Sequence, residues 1–201
     1  MEYIFLVIIL IFSIVIHEVA HGAAAFAMGD PTAKYAGRLT LNPIKHLDPI
    51  GSVFVPLFLI LMNSPFLIGW AKPVPINPFN FKDRKYGEAK SALAGPGANL
   101  AVALVFGLVL RLISPINNIP GLYLMFSYIV YINILLAVFN LLPIPPLDGS
   151  HILFTFLPDS MRKIKIFLSQ FGIFILIFVI LFFFPLIISL INVIFNLIVG
   201  G

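Results

Sequence analysis

The chain has 201 residues, of which 61% are hydrophobic and only 10% charged, with a mean hydropathy of +1.10. That composition excludes an ordinary soluble domain and places the chain in a membrane, as one domain over residues 1–201. The net charge of +4 arises from basic residues in short connections between apolar runs, a topology signal rather than a nucleic-acid signal, and the absence of cysteine removes disulfides, thiolate ligands and cysteine nucleophiles.

A first apolar run from about Tyr3 to Met28 is long enough to span a bilayer and stops at Gly29, Asp30 and Pro31. Its apolar stretch followed by Ala23, Ala24 and Ala25 has a faint likeness to a cleavable signal, but Met1, Glu2 and Tyr3 supply no basic leader. From Thr32 to Asp48 the chain turns polar, with Tyr35, Leu39 and Leu41 loosely alternating, which predicts short strand or loop. Residues 50–69 are apolar but interrupted by Pro56, Asn63, Ser64 and Pro65, as in a poor span or a re-entrant segment. Residues 70–87 carry Pro73, Pro75, Pro78 and a basic cluster, which predicts extended structure at the membrane surface.

Helices are predicted at about 89–113 and 122–142, separated by a turn with Pro115, Asn117, Asn118, Pro120 and Gly121. A proline-rich break follows at 143–149. The apolar stretch 166–199 is too long for one untilted span, and Pro185 is expected to divide it into a span and a shorter helix. The fold class is therefore an all-α polytopic membrane protein of about four to six membrane helices, with a short extended or re-entrant element between the first helix and the 89–113 helix.

Charge bias tests that map. With residues 50–69 re-entrant, Lys34, Arg38, Lys45, Lys72, Lys82, Arg84, Lys85, Lys90, Arg162, Lys163 and Lys165 all face one side, and only Arg111 faces the other. Short basic loops face the cytoplasm, which favours the re-entrant reading and a multi-pass protein of the plasma membrane.

His17, Glu18, Val19, Ala20 and His21 spell H-E-x-x-H within the first apolar helix. At 3.6 residues per turn the i, i+4 histidines share one face and converge on one cation, with Glu18 beside them. His17 lies roughly 21 Å from one helix end and about 16 Å from the other, deep in the bilayer, where ionisable groups persist only if paired, coordinated or wetted. The bland alternative is a set of helix-packing polar groups or a proton relay without metal. Gly22, Ala23, Ala24 and Ala27 read as close-packing residues.

A catalytic zinc takes three protein ligands and leaves one position for water. The remaining candidates are Glu2, Asp30, His46, Asp48, Asp83, Glu88, Asp148, His151 and Asp159, and most fall in basic loops where a solvated or ion-paired role is the default. Asp148 stands apart because Pro143, Pro145 and Pro146 break the chain just before it, and irregular backbone at that depth needs protein or a wet cavity around it. It is preferred to His151 as third ligand. Asn140 could donate a hydrogen bond to a developing oxyanion, or equally bond a neighbouring helix.

With these residues the chain resembles the site-2 protease family of intramembrane metalloproteases. The likeness lies in His17 to His21, in the Asn140 to Gly149 stretch ending Leu-Asp-Gly, and in Ala94, Gly95, Pro96, Gly97, Ala98 and Asn99 between them. It extends over nearly the whole chain. The resemblance implies one Zn2+ held by His17, His21 and Asp148, Glu18 as general base, Asn140 as a catalytic or substrate-contacting residue, and a transmembrane protein as substrate in the lipid bilayer. The segments around His46, Asp48 and Pro73 to Pro78 look like the family's short strands and re-entrant element. An inserted peptide-binding domain and an appended regulatory domain, which many relatives carry, are not found.

Two other classes use similar residues. A transporter could line a metal or proton path with His17, His21 and Asp148, though such proteins often show duplicated halves and none is visible here. A membrane zinc protease of another kind would take a later Glu as third ligand, and beyond Glu18 only Glu2 and Glu88 exist.

Overall fold

A computed structural model describes residues 2–62, 69–113 and 120–200. Among them seven α-helices form: α1 (Glu2–Ala27), α2 (Thr32–Tyr35), α3 (Val55–Leu61), α4 (Gly87–Ile113), α5 (Pro120–Asn140), α6 (Asp148–Phe156) and α7 (Arg162–Val199). Four of these regions are long and apolar enough to cross a membrane: Ile4–Ala27, Gly87–Leu112, Gly121–Asn140 and Asp159–Val199. No strand forms among the described residues, so the molecule is the all-α polytopic membrane protein that the composition requires.

Helix α4 is the hub, packing against α1, α5, α6 and α7. The buried cluster of Ala103, Leu110, Val130, Ile134, Ile187 and Ile191 fills the space between α4, α5 and α7. Close approach is needed there, since a Cβ on Gly107 would collide with Ile198. The outer face of α7 leaves Phe174, Leu181, Phe182 and Leu197 exposed, a surface suited to lipid rather than water.

Three expectations need correction. Pro185 does not divide the last apolar stretch, because α7 runs unbroken through it. Ending a helix inside an apolar layer would strand several N–H and carbonyl groups, against the single N–H that proline lacks. Of the strand or loop expected for residues 32–48 the strand alternative fails: short turns form there, α2 and a 3₁₀ turn at Pro43–His46 joined by irregular backbone, with one isolated bridge, Leu47 to Ala71. Finally, α6 follows directly on the proline-rich break, where no helix was expected.

Between α1 and α4, a π-helical stretch at Pro49–Phe54 leads into α3. The combined apolar helix reaches at most about 20 Å, short of the roughly 30 Å hydrocarbon layer. Residues 63–68 and the turn at 114–119, with its Pro115, Asn117 and Asn118, lie outside the described residues. From Trp70 the backbone runs extended as a strap: Trp70 N–H donates to the Gly51 carbonyl and Lys72 N–H to that of His46.

The strap is anchored at the end of α1. Asp30 is fully buried and accepts hydrogen bonds from Thr32, from Asn77 N–H at 2.7 Å and from Asn80 Nδ2 at 2.8 Å. Burial pushes its carboxyl up, but these hydrogen bonds outweigh that and hold it below the usual carboxylate range. A solvated or ion-paired role, expected for acidic residues in this loop, is thus replaced by a buried hub of neutral donors. Gly29 adopts φ +108°, the left-handed turn that lets the chain leave α1 toward Asp30.

Candidate metal centre

Helical spacing puts His17 and His21 on one face of α1, and both are 7% exposed. Asp148 arrives from the first residue of α6, after the break that ends α5. One carboxylate oxygen, Oδ2, lies 3.0 Å from His17 Nε2 and 3.2 Å from His21 Nε2, and the two Nε2 atoms are 3.0 Å apart.

The outer faces of the rings fix their tautomers. His21 Nδ1 lies 2.7 Å from the Ser91 carbonyl, which can only accept, so that nitrogen carries the proton. Asn99 donates through Nδ2 to the Ser13 carbonyl and to Asn133 Oδ1, which turns its own Oδ1 toward His17 Nδ1 at 2.6 Å. His17 therefore also carries its proton on Nδ1. Two Nε2 lone pairs and a carboxylate oxygen then face one another in a buried space.

Without a cation that arrangement is repulsive. A single extra proton could bridge only one of the three contacts, whereas a divalent ion answers all of them. Zinc at about 2.0–2.1 Å from tetrahedral ligands spaces them roughly 3.3 Å apart, close to the separations found here. Among the described residues, His17, His21 and Asp148 form the one group of three donors near enough to share an ion. The residues fit the metal.

Glu18, the residue between the histidines, points elsewhere: its Oε2 accepts a hydrogen bond of 2.7 Å from Val74 N–H on the strap. A cavity of about 390 Å3 joins the parts, lined by the three donors together with Glu18, Asn140 and His151, and by Val74 and Pro73 of the strap. Asn140 thus reaches the cavity, though its Nδ2 donates to the Leu136 carbonyl of its own helix at 2.9 Å. His151 is not among the three donors; its Nδ1 pairs with Glu88 Oε1 at 2.8 Å.

Sequence reasoning singled out His17, Glu18, His21, Asn140 and Asp148, and all five line this cavity. It assigned no role to Asn99, Ser91 or Val74, which orient the others. Asn99 and Asn133, both fully buried, form with Ser13 a polar network between α1, α4 and α5. The signal that could have found them was two asparagines inside apolar helices, where an unpaired amide is costly.

Gly95 completes the centre. A Cβ there would overlap His21 Nε2 and approach His17 Cε1 to 2.7 Å, so the histidines occupy the room that this glycine leaves. Two of the remaining acidic residues have local duties: Asp48 caps the π-helical stretch through Ile50 N–H and Gly51 N–H, and Asp83 pairs with Lys90 at 2.7 Å.

Comparison with known proteins finds relatives of the chain. The family description "Peptidase family M50" matches residues 118–182. YwhC of Bacillus subtilis, provisionally named a zinc metalloprotease, is 40% identical over 188 residues, covering 90% of this chain and 81% of its own length. Rip2 of Mycolicibacterium smegmatis, named in the same provisional way, is 31% identical over 140 residues, 68% of this chain and 51% of its own length, so this chain spans about half of that relative. No solved structure gives a significant match. An identity of that extent, together with a two-histidine, one-carboxylate centre whose histidines lie on a membrane helix, shows that the chain belongs to peptidase family M50, as an integral membrane metalloprotease with a zinc-type donor set.

Proposed function

We propose that this protein hydrolyses a peptide bond in or near a transmembrane segment of another membrane protein, with His17, His21 and Asp148 holding zinc and Glu18 as general base. The observation that carries the reading is the donor cluster of buried His17 and His21 on α1 with Asp148 of α6, in a cavity that also holds Glu18. When bound, zinc lowers the pKa of a water molecule and polarises a carbonyl.

Glu18 takes the proton released by the attacking water and returns it to the leaving amine nitrogen. Val74 N–H holds Oε2 of that carboxylate, which leaves Oε1 for the water. Asp148 positions the cluster from a second element, so the centre assembles only when α6 docks on α4.

A substrate helix hides its amides in i to i−4 hydrogen bonds and must unwind before one can reach Glu18. The strap is the extended element beside the site. Trp70, Lys72 and Val74 already direct their N–H groups to Gly51, His46 and Glu18, and Pro73 and Pro75 have none. An unwound substrate laid along it would donate to carbonyls rather than form a full ladder. Within residues 32–45 the short helices Thr32–Tyr35 and Pro43–His46 interrupt any continuous extended edge.

The protein would sit in the plasma membrane with its basic loops cytoplasmic, placing the strap and α6 on the cytoplasmic side. Single cysteines at Lys45 or Lys163, introduced into a chain that has none, should react only with reagents admitted to the cytoplasmic face.

The test is reconstitution of the full chain in vesicles with a single-span substrate. Products should map to the span or its edge, and Glu18→Gln should bind zinc yet cleave nothing. Zinc binding with no peptide cleavage, or turnover by the Gln variant, would overturn the assignment.

A further inference from the structure

His151 lies three residues beyond Asp148 on α6, at the spacing that puts both on one helix face. Its Nδ1 is 2.8 Å from Oε1 of Glu88, in the first turn of α4. Both residues line the cavity that contains the three metal donors and Glu18. A second ionisable pair therefore belongs to the reaction chamber, and zinc binding does not use it.

The pair has a defined polarity. A carboxylate on Nδ1 makes that nitrogen the donor and leaves Nε2 as the ring atom free to meet a ligand. Among the described residues no group hydrogen-bonds His151 Nε2, while Asp148 and His21 are near enough to act on the ring electrostatically. The hydrogen bond to Glu88 and the charge of that carboxylate favour the imidazolium over the effect of burial, so the ring is held above its ordinary pKa. In that form Nε2 carries a proton. Asn140, the donor suggested by sequence, commits one of its two Nδ2 hydrogens to the Leu136 carbonyl.

We propose that His151, positioned by Glu88, donates a hydrogen bond from Nε2 to the scissile carbonyl oxygen as negative charge develops there. The proposal rests on the proteolytic reading above. As the water oxygen bonds to the carbonyl carbon, the C=O π electrons move onto the carbonyl oxygen and the water proton passes to Glu18. His151 lends its Nε2–H to that oxygen without giving up the proton. When the C–N bond breaks, the electrons return to re-form the carbonyl, and Glu18 protonates the departing nitrogen.

Removing one such donor lowers kcat by roughly 10²- to 10³-fold with ground-state binding little changed. The experiment compares full-length wild type, His151→Ala, Glu88→Gln and Asn140→Ala in zinc-loaded vesicles. Bound zinc, kcat and KM on a single-span substrate, and the Kd of a phosphinic pseudopeptide that mimics the tetrahedral anion are measured for each. His151→Ala should retain zinc and KM, lose kcat about 100-fold and weaken phosphinate binding by a similar factor. Glu88→Gln should show a smaller loss of the same kind, which a merely structural contact would not produce.

Several outcomes overturn the assignment. Loss of zinc in His151→Ala makes the residue part of the metal centre. Unchanged kcat and phosphinate affinity make the pair an ordinary half-exposed ion pair. A kcat loss confined to Asn140→Ala transfers the role to Asn140. Wild type that binds zinc but cleaves no membrane peptide removes the proteolytic reading itself, a result distinct from equal cleavage by wild type and His151→Ala.

Discussion

Glu18 Oε2 and the backbone N–H of Val74 are 2.7 Å apart, so the proposed base on the first membrane helix is held by a strap more than fifty residues further along. A hydrogen bond to a charged group contributes about 1.5–3 kcal/mol, or roughly 10- to 100-fold if it matters fully in the transition state. Val74→Pro removes the donor, whereas Val74→Ala keeps it. The Pro variant should lose kcat by about that factor while retaining zinc, and the Ala variant should stay within about threefold; equal rates for the two would show that the contact does not serve catalysis.

Asn99 orients His17 through its Oδ1, at 2.6 Å from Nδ1. Removing a partner of this kind costs 10- to 100-fold in metal affinity. Asn99→Ala should therefore lose zinc to a competing chelator at about that lower threshold, as read by metal content after dialysis. Unaltered zinc retention would mean that the ring is held by packing alone.

Two glycines of α4 separate helix stability from site integrity. Ala is favoured over Gly within a helix by about 1 kcal/mol. At Gly97 nothing lies within 4 Å of an added Cβ, whereas at Gly95 it would overlap the histidines. Gly97→Ala should melt at the same or higher temperature with full activity. Gly95→Ala should remain helical by circular dichroism but lose zinc and turnover, and an active Gly95→Ala enzyme would contradict the packing described here.

The buried carboxyl of Asp30 predicts an acid-sensitive anchor. Its folded pKa lies below the usual carboxylate range, so its contribution is fully present above that range and is lost as pH falls through the folded pKa. Thermal melts in detergent should show wild type losing stability below about pH 4, and Asp30→Ala starting at least about 2 kcal/mol less stable because Asn77 and Asn80 lose their acceptor. A variant whose melting matches wild type at neutral pH would show that the strap is anchored elsewhere.

Local periodicity and apolar runs made the membrane helices and the H-E-x-x-H face legible, because a span must satisfy its own backbone and an i, i+4 pair must share a face. Pro185 misled for the same reason in reverse: a rule calibrated in water fails where leaving the helix is costlier than losing one hydrogen bond. Helix α6 was hidden because it is short and begins within a proline-rich segment.

By itself the sequence determined that this is a membrane protein with a histidine pair and an adjacent glutamate poised for a divalent ion, since those facts depend only on neighbours within a helical turn or on the composition of a run. It also pointed to Asp148 by elimination. Only the tertiary structure decided which oxygen meets both rings, that Asn99 and Ser91 fix their tautomers, that Val74 holds Glu18, and that Glu88 and His151 share the chamber. Those relations join residues 56 to 131 positions apart in most cases, where spacing along the chain carries no geometric information and only the docking of α4, α6 and the strap against α1 brings the groups within bonding distance.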